Sequence, residues 1–154
     1  MLTRDETEAL NIACEMERQG IMVYRRAQAL TEDEAVLALL KRLEADEMAH
    51  LGQFSAMLDE TKLTEDLGER RVLLAAYAKK AFLQGGVMEL VREEALQSAN
   101  QLLKHAIKDE TEAIAVYRAY SETASGEAVK KAFLSISREE ETHLAALLEI
   151  ASAN

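Results

Sequence analysis

The sequence predicts an all-α protein, a four-helix bundle of two antiparallel helical hairpins joined by a long, partly helical crossover. Three observations predict this fold. The 154 residues contain no proline, which favours long uninterrupted helices. Apolar residues recur in steps of three and four along the chain, as they do on the buried face of a helix. One pattern of polar residues, Glu-x6-Tyr followed by Glu-x2-His, occurs twice at an offset of 93 residues.

The first predicted hairpin spans residues 3–60. Residues 3–6 (TRDE) and 31–34 (TEDE) each have the form of a capping box, which marks the N-terminus of a helix. The chain therefore turns near residue 32, and an apolar stripe follows each box. Gly20 lowers the stability of the first helix, and we expect it to mark the close approach of a neighbouring backbone.

The predicted crossover spans residues 61–97, and the second hairpin spans residues 98–151. A connection of this length suits a crossover that joins two parallel helices across a bundle. The second hairpin turns at Ser125 and Gly126, a dipeptide typical of turns. We expect the whole chain, residues 1–154, to form a single domain.

Each helix of the two hairpins carries one glutamate inside its apolar stripe. The predicted turn is the midpoint between Glu17 and Glu47 in the first hairpin, and between Glu110 and Glu140 in the second. Antiparallel hairpins folded at these turns bring their two carboxylates to the same level. The four acids are therefore expected to meet in the middle of the bundle.

Two of the three histidines lie three positions after a glutamate, in the Glu-x2-His parts of the repeated pattern. Positions three apart on a helix are surface neighbours, so such a pair can chelate one metal ion. Four facing buried carboxylates are costly unless their charge is balanced, and two divalent cations would balance it. The predicted metal ligands are Glu17, Glu47, His50, Glu110, Glu140 and His143.

Other polar residues near the pattern have more ordinary interpretations. Tyr24 and Tyr117 share a helix face with a predicted ligand, and we interpret them as hydrogen-bond partners of ligand carboxylates, with plain core aromatics as the alternative. Cys14 is interpreted as a small apolar core residue and His105 as a surface residue. The acids beside the ligands are interpreted as solvated: Asp46, Glu139 and Glu141.

The composition argues against several classes of function. A formal net charge of −10 disfavours a nucleic acid partner. A single cysteine excludes an intrachain disulfide and a Cys-x-x-Cys metal site. The charged N-terminus lacks a secretory signal, and no apolar run approaches the ~18–20 residues of a membrane span. We therefore expect a cytoplasmic protein without membrane contact.

The paired motifs resemble the rubrerythrin-like branch of the ferritin-like superfamily, over residues 3–60 and 98–151. The resemblance implies a ferritin-like bundle and a non-haem di-iron centre held by the six residues named above, with manganese or zinc as other possible metals. Typical rubrerythrins also carry a rubredoxin domain with four cysteines, whereas this sequence has one cysteine. An external electron donor such as a rubredoxin is therefore expected, and we expect a homo-oligomer, specifically a dimer.

One departure from the family concerns the site itself. Rubrerythrins often place a second glutamate three residues from the ligand of the third helix, where this sequence has Ile107 and Ala113. The implied site is therefore a symmetric one of six residues.

Three functions are compatible with the sequence. The favoured one is an oxidoreductase that reduces peroxide or dioxygen, as a rubrerythrin-like peroxidase does. The second is a ferroxidase or iron-handling protein of the ferritin type, which needs a large hollow assembly. The third is a bundle stapled by metal that has no catalytic role.

Overall fold

The computed structural model describes residues 1–59 and 98–153, and within them it contains four helices and no strand. The helices are α1 (Arg4–Leu30), α2 (Glu34–Asp59), α3 (Ala99–Thr123) and α4 (Glu127–Ala153). α1 packs along α2 and α3 packs along α4, and the two pairs meet through α1 with α3 and α2 with α4. The predicted all-α four-helix bundle is confirmed, while the predicted crossover, residues 61–97, lies outside the described residues.

The first helix begins as predicted. Thr3 Oγ1 accepts a hydrogen bond from the Glu6 backbone N–H at 3.2 Å, and Glu6 Oε2 accepts one from the Thr3 N–H at 2.8 Å. These reciprocal bonds form a capping box. They satisfy two of the N–H groups that a helix start leaves without a partner inside the helix.

The second helix begins differently from the prediction. The turn lies near residue 32, but the side chain that caps α2 belongs to Asp33, whose Oδ1 accepts from the N–H groups of Ala35 and Val36 at 2.9 and 3.1 Å. Thr31 bonds instead to the Asp33 N–H at 3.3 Å. A carboxylate is favoured at this place because its charge complements the positive end of the helix dipole.

The turn between α3 and α4 falls at Ser125 and Gly126, as predicted, and a side chain from α1 holds it. Glu6 Oε1 accepts from the N–H groups of both turn residues, at 2.9 and 2.6 Å. A Cβ atom at Gly126 would lie 3.2 Å from this oxygen, so the glycine leaves room for the carboxylate. Glu6 thus caps its own helix with one oxygen and ties the second hairpin to it with the other.

The bundle core consists of two apolar clusters separated along its length. One cluster lies near the α3–α4 turn and includes Leu10, Phe54 and Phe133. The other lies towards the α1–α2 turn and includes Leu40 and Leu147. The layer between them is polar, and it holds the predicted site.

Among the described residues, no helix is long and apolar enough to span a membrane.

We expect Glu6→Ala to destabilise the protein by roughly 1–2 kcal/mol, because it removes a helix cap and two hydrogen bonds to the turn. Hydrogen bonds from the backbone of Thr3 and Gly126 lower the pKa of Glu6 from its ordinary value of 4.5. Its contribution is therefore present above pH 4.5 and lost as the pH falls below that value.

Urea unfolding at pH 7 and pH 3 measures this effect, with the exposed Glu122→Ala as the control variant. The difference between wild type and Glu6→Ala should shrink at pH 3. An equal difference at both pH values would show that the Glu6 charge does not hold the turn.

Candidate metal centre

The polar layer of the bundle is a cluster of acids and histidines. α1 and α3 each contribute one glutamate, and α2 and α4 each contribute one glutamate and one histidine. Each of these side chains belongs to a residue that is at most 5% exposed. The structure brings together all six residues that the sequence predicts as ligands: Glu17, Glu47, His50, Glu110, Glu140 and His143.

These side chains form two overlapping groups of four possible ligands. Within each group, one ligand atom per residue lies within 4.8 Å of the others. Glu47 and Glu140 belong to both groups. The other members are Glu17 and His50 in one group, and Glu110 and His143 in the other. The arrangement is thus a pair of adjacent positions that share two carboxylates.

Both histidines point Nδ1 into the cluster. His50 Nδ1 lies 3.3 Å from Glu140 Oε1, and His143 Nδ1 lies 2.8 Å from Glu140 Oε2. The two imidazole rings are stacked, with centroids 5.7 Å apart. The Glu140 carboxylate therefore lies between the two imidazoles, one oxygen towards each.

The outer nitrogen of each histidine contacts an acid that the sequence interpretation treated as merely solvated. His50 Nε2 lies 2.9 Å from Glu139 Oε2, and His143 Nε2 lies 3.1 Å from Asp46 Oδ2. An ionised carboxylate can only accept, so these contacts place a proton on Nε2 and direct Nδ1 into the cluster. Both acids are exposed to solvent, as the sequence interpretation held, with side chains 42% exposed for Asp46 and 54% exposed for Glu139, but that interpretation missed their contacts with the histidines.

The sequence contains a signal for these two acids. Asp46 and Glu139 are separated by 93 residues, the same offset that relates the two Glu-x2-His motifs. Each acid directly precedes the glutamate of its motif and, across the bundle, contacts the histidine of the other. By contrast, Glu141 forms a surface ion pair with Arg118.

Two further residues lie outside the cluster. Cys14 is buried in the apolar cluster near the α3–α4 turn, with Sγ 3.7 Å from Ser55 Oγ. His105 is half-buried on α3 and belongs to neither ligand group. Neither contributes an atom to the two groups.

The two tyrosines donate hydrogen bonds across the hairpins. Tyr24 of α1 donates to Glu110 Oε1 of α3, and Tyr117 of α3 donates to Glu17 Oε1 of α1, the latter at 2.5 Å. Burial, together with the nearby carboxylates, raises the pKa of both phenols well above 10. Both side chains therefore remain protonated donors at neutral pH. The sequence indicated a shared helix face, whereas each tyrosine bonds to the acid of the opposite hairpin.

Several buried carboxylate and imidazole atoms at the centre of the cluster lie close to one another without a well-directed hydrogen bond. These atoms are Glu17 Oε2, Glu47 Oε1, Glu140 Oε2 and the Nδ1 atoms of His50 and His143. Buried polar atoms without a partner are costly, and they are rare in folded proteins. Here they converge on one small volume and belong to carboxylates and imidazoles, which bind divalent iron, manganese and zinc. The residues present thus fit a pair of divalent cations.

The close packing of buried ionisable groups shifts the pKa values of the carboxyl groups in the cluster. Burial and the charge of Glu17 raise the pKa of Glu47 well above its ordinary value of 4.5, and burial raises that of Glu110 to about 8. Burial also opposes ionisation of Glu140, but the imidazoles of His143 and His50 outweigh it and lower its pKa to about 2. Without metal, the cluster therefore keeps protons on some of its carboxylates at neutral pH.

The histidines respond in the opposite sense to burial. Burial lowers the pKa of His50, but the adjacent Glu140 and Glu17 outweigh it and raise the value to about 11. Burial likewise lowers the pKa of His143, and Glu110 and Glu140 raise it to about 10. Bound protons thus replace metal charge in the metal-free cluster, and metal binding must release them.

We expect the metal-free protein to lose stability as the pH rises from about 6 to 9. In the folded protein the pKa values of Glu47, Glu110 and both histidines are raised above their ordinary values, 4.5 for glutamate and 6.5 for histidine. Proton binding by these groups therefore stabilises the fold fully below those ordinary values. This stabilisation is lost as the pH rises towards the raised pKa values. Each extra proton held by the folded state corresponds to about 1.4 kcal/mol per pH unit.

Thermal unfolding of metal-free and iron-loaded protein at several pH values measures this dependence. The gap between the two melting temperatures should widen from pH 6 to pH 8. Metal-free Glu47→Gln, which cannot ionise at this position, should melt above metal-free wild type at pH 8. A metal-free protein that melts higher at pH 8 than at pH 6 would contradict the described clustering.

We expect the outer acids to support metal binding. Asp46→Asn and Glu139→Gln remove the charge that orients a histidine, and changes of this kind weaken metal binding roughly 10- to 100-fold. Competition with a chelator measures the affinity. Glu141→Gln serves as the control because Glu141 pairs with Arg118 at the surface. Equal affinities in all three variants would show that the outer acids are only surface charges.

Comparison with known proteins agrees with the geometry of the second hairpin. The rubrerythrin family model matches residues 101–154, which include Glu110, Glu140 and His143. No curated protein sequence and no solved structure matches the chain. The first hairpin lies outside the family match but carries the equivalent ligand positions at the 93-residue offset. The chain is therefore similar to the rubrerythrin family over its second hairpin, and the four-helix bundle agrees with that similarity.

Proposed function

We propose that this protein is a non-haem di-iron oxidoreductase that reduces peroxide or dioxygen. The observation that carries the proposal is the pair of four-ligand groups that share Glu47 and Glu140. Two adjacent positions with shared carboxylates suit two metal ions that act on one small substrate. The rubrerythrin family match favours iron as the metal.

The six ligands would offer the same types of ligand to each of the two ions. Each ion would have one histidine Nδ1, one unshared glutamate and the two shared carboxylates. When bound, two ferrous ions would supply two electrons, which with two protons reduce one peroxide to two waters. The chain's own part is to bind the ions, orient their ligands and keep bulk water away.

The tyrosines and the outer acids fix the ligands in place. Tyr24 and Tyr117 each hold an unshared carboxylate through the phenolic O–H, whose proton stays on oxygen because of the raised pKa. Asp46 and Glu139 hold the imidazoles in the tautomer that turns Nδ1 inwards. Ligands positioned in advance need little rearrangement when a reaction occurs.

The space beside the cluster favours a very small substrate. A cavity of about 20 Å³ lies between α1 and α3, lined by Gly20, Ala113 and both tyrosines as well as by ligand carboxylates. A volume of this size holds about one water-sized molecule. Peroxide and dioxygen, with two heavy atoms each, are closer to this size than a typical organic substrate is.

We further propose that a separate protein, such as a rubredoxin, returns the electrons. A rubredoxin-type iron needs four cysteine ligands, and the 154 residues contain only Cys14. The purified protein should therefore perform one rapid turnover with peroxide and then stop. The homodimeric state and the cytoplasmic location remain part of the same proposal.

Anaerobic loading with ferrous iron, followed by one equivalent of peroxide, tests the proposal. Metal analysis should give two ions per chain, and an optical change should appear once, then recur when rubredoxin, its reductase and NADH are added. Glu140→Ala should lose iron and turnover, whereas the control variant His105→Ala should keep both.

Three outcomes would contradict the proposal. Bound iron that does not react with peroxide or dioxygen would favour the metal-stapled bundle. Oxidation of many ferrous ions per chain, with particles of cage size, would favour iron handling. Sustained peroxide reduction with NADH alone would exclude the need for a second protein.

A further inference from the structure

A glycine lies in the middle of α1, where helices normally avoid it. Gly20 is an interior residue of this 27-residue helix, and glycine in a helix interior costs roughly 0.5–1 kcal/mol relative to alanine. The sequence interpretation expected a neighbouring backbone to approach it closely. The described structure shows a ligand side chain there instead, because a Cβ atom at Gly20 would lie 2.7 Å from Glu47 Oε2 and 3.2 Å from Glu47 Cδ.

The two shared carboxylates are placed differently in the two halves of the site. Glu140 directs one oxygen to each imidazole, at 3.3 and 2.8 Å. Glu47 Oε1 lies 3.2 Å from His143 Nδ1, while its Oε2 faces Gly20 on α1. The Glu47 carboxylate therefore occupies space against α1 that a side chain at residue 20 would fill.

The repeated pattern gives an internal comparison for this glycine. At the offset of 93 residues, Gly20 corresponds to Ala113 on α3, and both residues line the cavity beside the ligands. One half of the site thus carries a Cβ atom where the other half has none. The geometry points to Gly20 as a positioning residue: its missing Cβ lets the Glu47 carboxylate lie against α1, where it serves both metal positions.

This inference rests on the proposed di-metal function and specifies one requirement of it. The atom nearest a Cβ at residue 20 is the end of a flexible side chain, so in Gly20→Ala the Glu47 carboxylate moves and the backbone stays. The cost of the substitution therefore falls on metal binding and not on the fold. Because Glu47 belongs to both ligand groups, both positions are affected.

Gly52 provides a matched control on α2. A Cβ atom at Gly52 has no atom within 4 Å, so Gly52→Ala gives the same gain in helix propensity without a new contact. Metal-free Gly20→Ala and Gly52→Ala should both melt at or slightly above the wild-type temperature. Metal-free Gly20→Ala that melts well below both other proteins would overturn the claim that the fold tolerates the change.

Anaerobic titration with Co²⁺, followed by absorbance and metal analysis, tests the inference directly. Wild type and Gly52→Ala should bind two ions per chain with equal affinity, while Gly20→Ala should bind both ions roughly 10- to 100-fold more weakly. Equal binding by all three proteins would overturn the role of Gly20. A wild type that binds fewer than two ions would instead overturn the proposed function, and the inference with it.

A double-mutant cycle separates positioning from general structural damage. In a Glu47→Ala background no carboxylate faces residue 20, so adding Gly20→Ala should change Co²⁺ affinity no further. Additive losses in the double variant would show that Gly20 acts through something other than Glu47, and would overturn the inference.

Discussion

The structure depends on the burial of four carboxylates in the middle of a helical bundle. An isolated buried charge is strongly unfavourable, and like charges placed together raise one another's pKa values. Two phenols donate hydrogen bonds to the acids, and two imidazoles lie beside the acids and can carry positive charge. Bound protons neutralise the remaining negative charge in the metal-free protein, and two divalent cations would neutralise it in the metal-loaded protein.

The polar contacts that satisfy the cluster run mainly between the two hairpins. The tyrosine bonds link α1 with α3, and the contacts from outer acid to histidine link α2 with α4. Glu6 adds a further link between α1 and the α3–α4 turn. A single hairpin therefore holds some of the ligands but few of the partners that orient them. The site is consequently complete only where the two hairpins pack together.

The sequence alone was sufficient to predict the helical hairpins and the level at which the acids meet. Spacing determines which residues share a helix face, and the midpoint of each pair determines where the turn must fall. It was not sufficient for contacts between helices that are distant in the chain. The pairing of Tyr24 with Glu110, the contacts of Asp46 and Glu139, and the neighbour of Gly20 all depend on how the hairpins rotate against each other. Local rules also failed at the start of α2, where Asp33 competes successfully with Thr31 as the cap.

The difference between Gly20 and Ala113 breaks the symmetry between the two hairpins at equivalent positions of the repeated pattern. Two hairpins related by a repeated pattern resemble an isologous dimer, in which the same surface of each subunit meets its counterpart. A true dimer of identical hairpins would carry the same residue at both positions, since one gene would encode both. Joining the hairpins in one chain removes that restriction, so the two sides of the centre can diverge one residue at a time.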